Sequence, residues 1–166
     1  MIGRIKAKLK MRTNEFRAPH LRLGELGERM ALNYLIKSVG YRLVATNFRV
    51  PLGRGLSGQK LNAEIDVIAY DGDTLVFIEV KTRSSDEFVQ PERAVDLRKQ
   101  RQIARAARRY RQLMKVYNEP YRYDVLTILQ NPDCYEAELL RGYFDDRVFQ
   151  RGRYFISGDP HWPDRP

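Results

Sequence analysis

AEIDVIAYDGDTLVFIEVKTR, residues 63–83, holds two apolar runs separated by Asp71-Gly72-Asp73, a tight-turn signal. It reads as a β-hairpin of two strands, Ala63–Tyr70 and Thr74–Arg83. Strand side chains alternate between faces. Ala63, Ile65, Val67 and Ala69 are therefore expected on one face, with Glu64, Asp66, Ile68 and Tyr70 on the other. On the second strand Val76, Ile78 and Val80 oppose Leu75, Phe77, Glu79 and Lys81. Two registers are open. With Asp71-Gly72 at the tip, Glu64 faces Glu79 and Asp66 lies diagonal to it. With Gly72-Asp73 at the tip, Asp66 faces Glu79 directly. Either one gathers Asp66, Glu79 and Lys81 on one face within cross-strand reach.

Both faces are otherwise apolar, as expected of a sheet covered on both sides. Carboxylates converging there repel one another and lose hydration. A divalent cation resolves that conflict, and hard oxygen ligands select Mg²⁺ or Mn²⁺. Lys81, pointing the same way as Glu79, is placed to orient a water and to stabilise negative charge as a phosphodiester is attacked. The alternative is a structural salt-bridge cluster at a strand end. A third acid, Glu28, falls within the helical stripe of Gly24, Ala31 and Leu35. A carboxylate on a buried stripe needs a partner, and the metal site is a candidate. Its alternative is a side chain at the stripe edge that reaches water.

Outward from the hairpin, Leu21–Val39 carries apolar residues at helical spacing, and Gly40 is the expected stop. Tyr41–Val50 reads as a strand and residues 51–62 as a Gly-rich basic loop. A long helix is expected from Pro91 to about Tyr117, with Ile103, Ala107, Tyr110 and Met114 along one stripe. Tyr121–Leu129 is a strand and Tyr135–Phe144 a candidate for one more. The order is α-β-β-β-α-β, an α/β domain around a mixed central sheet. Residues 1–20 read as a flexible basic arm, 21–144 as the domain, and 145–166 as an irregular C-terminal extension.

The 166 residues suit one domain, and 43% hydrophobic content supports a real core. The net charge of +9 is unevenly spread. Residues 1–22 carry seven basic and one acidic side chain, and residues 92–117 nine basic and two acidic. A polyanion is the natural partner, and arginine's planar fork suits phosphate; the alternative is a solvated helix face and a flexible basic tail. One cysteine allows no internal disulfide and fits a reducing compartment, while two histidines argue against a His-rich zinc site. No apolar run approaches the ~18–20 residues of a membrane span, and MIGRIKAKLKMR lacks the apolar centre of a secretory signal. A cytoplasmic protein without a membrane partner is expected.

Five ordered motifs then converge. They are GELGERMALNYL (with Gly24, Gly27, Glu28, Ala31, Tyr34 and Leu35), Asn47 with Arg49, the hairpin itself, AVDLRKQRQIARAARRY (with Ala94, Val95 and Lys99), and RYDVLTIL. In these the chain resembles the YraN-like family of predicted nucleases, of the restriction-endonuclease-like PD-(D/E)xK fold, from about Leu23 to Phe144. The resemblance implies that Asp66 and Glu79 ligate Mg²⁺ or Mn²⁺ with help from the Val80 carbonyl. It implies that Lys81 assists the attacking water and that Glu28 is the helix-borne acid of the site. Glu64 and the Arg122/Asp124 pair would support the ligands from behind. Lys99, Arg98, Arg101, Arg105 and Arg108 would meet the phosphate backbone, and Arg54 and Lys60 in the 51–62 loop would reach toward nucleic acid. Ala63 stands where the family usually has glycine.

The expected function is a metal-dependent endonuclease that hydrolyses phosphodiester bonds, in DNA first and branched DNA among its substrates. The alternative is a nucleic-acid-binding module with a weak or silent site. A third reading is an interaction protein on RNA, which aromatic stacking platforms would support; Tyr110, Tyr117, Tyr121 and Tyr123 could serve, but the first expectation is that they are core. The oligomeric state stays open, a dimer included.

Overall fold

In the computed structural model of the chain, residues 3–9, 23–54, 58–84, 95–131 and 134–150 are described. They form β1 (Gly3–Leu9), α1 (Leu23–Asn33), β2 (Arg42–Arg54), β3 (Lys60–Asp71), β4 (Thr74–Ser84), α2 (Leu97–Leu113), β5 (Tyr121–Gln130) and β6 (Tyr135–Phe144). The strands make one six-stranded sheet in the order β1-β6-β5-β4-β3-β2. β4 and β5 are parallel, joined by the α2 crossover, and every other neighbouring pair is antiparallel. The structure is therefore a mixed α/β fold containing the expected element order.

The two helices cover opposite faces of the sheet. α1 and the π-helical turns that follow it, Tyr34–Val39, bury Met30, Ala31, Tyr34 and Leu35 against Val67, Ala69, Val76, Ile78, Leu126 and Leu139. Gly40 closes this helix in the left-handed conformation, φ 85°, as its sequence position suggested. α2 buries Ile103, Ala104, Ala106, Ala107 and Tyr110 against Ile65, Ile68, Leu75, Phe77 and Val125. Small alanines let this helix lie close to the strands. Gly27 lets α1 do the same, because a Cβ there would stand 1.8 Å from Thr82 Oγ1 on β4.

Several expectations are corrected. Part of the supposed arm, Gly3–Leu9, is an edge strand paired with β6. Its Ile5, Ala7 and Leu9 pack beneath α1's cluster, while Arg4, Lys6 and Lys8 pair with Glu138 and Glu136. The supposed loop 51–62 is largely strand, since β2 runs to Arg54 and β3 starts at Lys60. α2 begins at Leu97, because the Asp96 side chain accepts the Lys99 backbone N–H and caps it. Pro91 lies outside the described residues. α2 ends at Leu113, so Met114 leaves the buried stripe and is 50% exposed. The extension opens with a 3₁₀ turn, Asp146–Phe149, whose buried Val148 joins the α2-side cluster. Residues 10–22 and 151–166 lie outside the described residues.

Among the described residues no helix is long and apolar enough to cross a membrane.

Candidate functional site

The hairpin takes the second register, with Gly72-Asp73 at its tip. Asp71 pairs with Thr74, and pairing continues to Val67 opposite Ile78. There the ladder stops, and the next positions are Asp66 and Glu79. Instead of a main-chain bond across the strands, Asp66 Oδ2 accepts the Val80 backbone N–H at 2.8 Å. Beyond this point β3 is held by β2 alone. The expected face assignment fails here: Ala63 and Ile65 pack in the α2-side cluster, whereas Val67 and Ala69 pack beneath α1. Release from β4 lets β3 turn its side chains at the site.

Glu79 is only 2% exposed. Its Oε1 accepts from Lys81 Nζ at 2.7 Å and lies 3.0 Å from Lys99 Nζ. Its other oxygen, Oε2, is buried with no hydrogen-bond partner among the described residues. Such an atom forfeits its hydration without replacement. Asp66 is pushed up to about 6, first by burial and then by the Glu79 charge, against the opposing pull of the Val80 N–H, Lys99 and Lys81. Two carboxylates and two ammonium groups thus meet where β3 and β4 part.

Lys99 was expected at the phosphate backbone, and the structure places it on Glu79. The signal was in the sequence: Asp96 caps α2 and fixes Lys99 in its first turn, above the C-terminal half of β4. Other expected members stand apart. Glu28 is exposed on α1, which packs on the opposite sheet face from Glu79. The buried stripe runs through Gly27, Met30, Ala31, Tyr34 and Leu35, and Glu28 lies outside it. Glu64 pairs with Arg49 of β2 at 3.0 Å.

Arg122 and Asp124 do not stand behind the carboxylates either. They alternate with the α2-side residues Tyr123 and Val125 and so point to the α1 side. There the Arg122 guanidinium bonds Asp124 at 2.7 Å and Asp71 at 2.9 Å. Asp124 also accepts from the Tyr41 hydroxyl (3.0 Å) and the Gly142 N–H (2.9 Å). Burial, reinforced by the Asp124 charge, pushes the Tyr41 hydroxyl up. This network ties the end of β3 to β5 and β6; Asp124 pairs with Ile78, one residue from Glu79, and what separates the two carboxylates is the sheet itself, since they point to opposite faces. Sequence reading missed Tyr41 altogether.

The arginines of α2 divide. Arg101 donates to the Val148 carbonyl, and Arg108 lies 5.1 Å over the Phe149 ring. Arg98 and Arg105 are exposed. The side chains of Arg54 and Lys60 lie outside the described residues. Of the aromatic candidates, Tyr110 and Tyr123 are core, Tyr121 is partly buried, and Tyr117 is 56% exposed.

Residues 27–128 match the model of the family described as Uncharacterised protein family UPF0102. A UPF0102 protein of Syntrophus aciditrophicus is 38% identical over 126 residues, covering 76% of this chain and 91% of the relative. That of Geotalea uraniireducens is 41% identical over 133 residues, 80% and 96% of the two chains. That of Solibacter usitatus is 37% identical over 145 residues, 87% of this chain and 100% of the relative.

Proposed function

This chain belongs to the UPF0102 family, and from that premise we propose a divalent-metal-dependent endonuclease with a restriction-endonuclease-like core, hydrolysing phosphodiester bonds, in DNA first of all. The observation that carries this reading is the buried, unpartnered Oε2 of Glu79, opposite Asp66 and two residues from Lys81. The residues fit Mg²⁺ or Mn²⁺. Among the described residues Glu79 keeps Oε2 uncommitted, and Asp66 uses Oδ2 on the Val80 N–H. Among the described residues no three His, Cys, Asp or Glu side chains converge. Protein carboxylates would thus supply two ligands, with the Val80 carbonyl, water and substrate phosphate completing the set, as is usual for Mg²⁺.

When bound, the cation would polarise the phosphate and offset the negative charge that builds up during displacement. The chain's own groups do the rest. The Lys81 ammonium is tethered to Glu79 Oε1, which fixes it beside the reacting centre to hydrogen-bond the incoming water and a phosphate oxygen. Lys99 holds the same Glu79 oxygen, so Oε2 would be the oxygen left for a cation. The exposed α2 arginines attract the polyanion.

A cleavage panel with Mg²⁺, Mn²⁺ or EDTA tests this. Supercoiled, linear, single-stranded and four-way-junction DNA and a structured RNA are compared for wild type and Glu79→Ala. Metal-dependent cutting by wild type alone, with binding retained in the variant, is expected. No cutting anywhere, with tight salt-sensitive binding equal in both proteins, would replace this reading by a binding module without chemistry.

A further inference from the structure

We propose that the C-terminal end of α2 carries a stacking subsite for one unpaired nucleotide. The substrate is then a nucleic acid whose single-stranded segment runs along α2 from the Asp66–Glu79 site. The location of the cut rests on the nuclease reading; the subsite does not.

A cleft of about 620 Å³ opens where α2 meets the hairpin tip, lined by Arg42, Tyr70, Asp73, Lys115, Tyr117 and Glu119. Tyr117 is 56% exposed yet held at both ends. Its carbonyl accepts from Arg111 Nη2, and its hydroxyl donates to the Gln112 carbonyl at 3.2 Å. An open aromatic ring already fixed in place loses little entropy when a base stacks on it. Lys115 adopts a left-handed conformation, φ 59°, and the chain folds back so that the Val116 N–H reaches the Arg111 carbonyl at 3.0 Å. That reversal sets Lys115 and Tyr117 on the same cleft. Arg42 reaches it from β2, its guanidinium 4.7 Å over the Tyr70 ring. Arg42 and Lys115 form no ion pair among the described residues, so both are available to phosphates flanking the stacked base. Asp73 and Glu119 offer acceptors for exocyclic amino groups, Glu119 while also accepting from the Tyr70 hydroxyl.

A path leads from this cleft to the carboxylates. Arg98, Arg105 and Arg109 are exposed at helical spacings of seven and four, so they share one face of α2. Beside them a groove of about 490 Å³ runs between Arg105, Arg108, Arg109 and the Pro51–Gly53 end of β2. From Lys99, on Glu79, to Leu113 the helix spans about 21 Å at 1.5 Å per residue. A strand of several nucleotides covers that length, within the ~4–16 nucleotides typical of one single-strand-binding module. Paired bases hide their π-faces in the stack, so a platform such as Tyr117 favours an unpaired strand over a duplex.

Binding is measured by fluorescence anisotropy in EDTA, with labelled dT12 and a blunt 12-base-pair duplex, for wild type, Tyr117→Ala and Tyr117→Phe. Tyr117→Ala is expected to weaken dT12 binding about tenfold, as loss of one base–aromatic stack does. Duplex binding should change less than about twofold, and Tyr117→Phe, which keeps the ring and the Arg111 anchor but loses the Gln112 bond, should weaken dT12 binding by no more than about threefold. Equal dT12 affinity for wild type and Tyr117→Ala overturns the subsite, as does an equal loss on dT12 and duplex, which would mark a general surface. Because no metal is present, the two readings fail separately. Metal-dependent cutting with unchanged dT12 binding in Tyr117→Ala removes the subsite and leaves the nuclease. A tenfold loss in a protein that cuts nothing sustains the subsite and removes the nuclease.

Discussion

Asp66→Asn removes one charge from the meeting point of β3 and β4 while keeping the shape of the side chain and an oxygen that can still accept the Val80 N–H. In the folded protein Asp66 is pushed up from 3.8 to about 6, chiefly by burial and by the Glu79 carboxylate. A pKa raised on folding means the folded state holds the proton more tightly than the unfolded chain. Below about pH 4 both states are protonated and Asp66 costs nothing. As pH rises from about 4 to 6 only the unfolded chain gives up its proton freely, and stability falls. Above about pH 6 the full penalty is present. A shift of roughly two units corresponds to about 3 kcal/mol at neutral pH. Asparagine carries no such penalty. The variant should therefore melt higher than wild type at pH 7.5, by roughly 6–12 °C if the whole penalty is relieved in a chain of this size. The gain should shrink toward zero near pH 4. Melting is followed by circular dichroism in EDTA across pH 4–8, and again with 10 mM Mg²⁺. The cation should raise the wild-type Tm at pH 7.5 and leave Asp66→Asn unmoved. A variant less stable than wild type at pH 7.5, or a difference that does not change with pH, would refute the assignment of Asp66 as a carboxylate held charged at a cost.

Three further outcomes follow from the geometry. Lys81→Ala should lower the rate of metal-dependent cleavage about 10²–10³-fold, as removal of one charge-stabilising donor does, with nucleic-acid affinity by anisotropy changed little. Gly27→Ala should destabilise by about 1–3 kcal/mol in urea titration, since the new Cβ meets Thr82 Oγ1 at 1.8 Å and α1 must lift from β4. Asp124→Asn should cost about 1–3 kcal/mol, because it removes the buried one of Arg122's two carboxylate partners and leaves Asp71 as the other. Its cleavage rate at a temperature where it stays folded should equal wild type. A selective fall in Mg²⁺ affinity would instead return Asp124 to the metal site.

Much of this arrangement was legible in residues 63–83. The two-residue turn and the period-two pattern brought Asp66, Glu79 and Lys81 together in either register, and the structure has them together. What escaped was information that local pattern does not carry. The alternation Ile5, Ala7, Leu9 was present in the first residues, but the intervening Arg4, Lys6 and Lys8 made it look like a solvated tail. Its acidic partners, Glu136 and Glu138, lie some 130 residues away. Glu28 shared a helical stripe on paper, yet the width of a buried stripe is set by the surface beneath it. The thin Gly27–Thr82 approach leaves no room for a longer side chain to turn inward. Arg122 and Asp124 have the composition of a supporting pair. Only the parity of β5 relative to β4 decides which face they serve, and that parity comes from the parallel pairing of Ile78 with Asp124.

The placement of the carboxylates follows from where the ladder ends. Two acids within a continuous sheet face would be pinned by main-chain bonds and covered by a helix, with nowhere for a ligand to stand. Here β3 and β4 stop pairing one residue before Asp66 and Glu79. The Asp66 side chain takes over a bond the main chain would have made, and β3 twists away with β2. The gap lies toward the C-terminal end of β4, where crevices of open α/β sheets characteristically form. The parallel β4–β5 pair demands a crossover, and the crossover helix must start above that same end. Its capped first turn delivers Lys99 to Glu79, and its far end presents Tyr117 beside the hairpin tip. One topological requirement thus positions an ammonium at the candidate reaction centre and, about 20 Å away at the far end of the same helix, an open aromatic ring bonded back to Gln112. If dT12 binds through that ring while cutting needs Asp66 and Glu79, both properties trace to the single connection between β4 and β5.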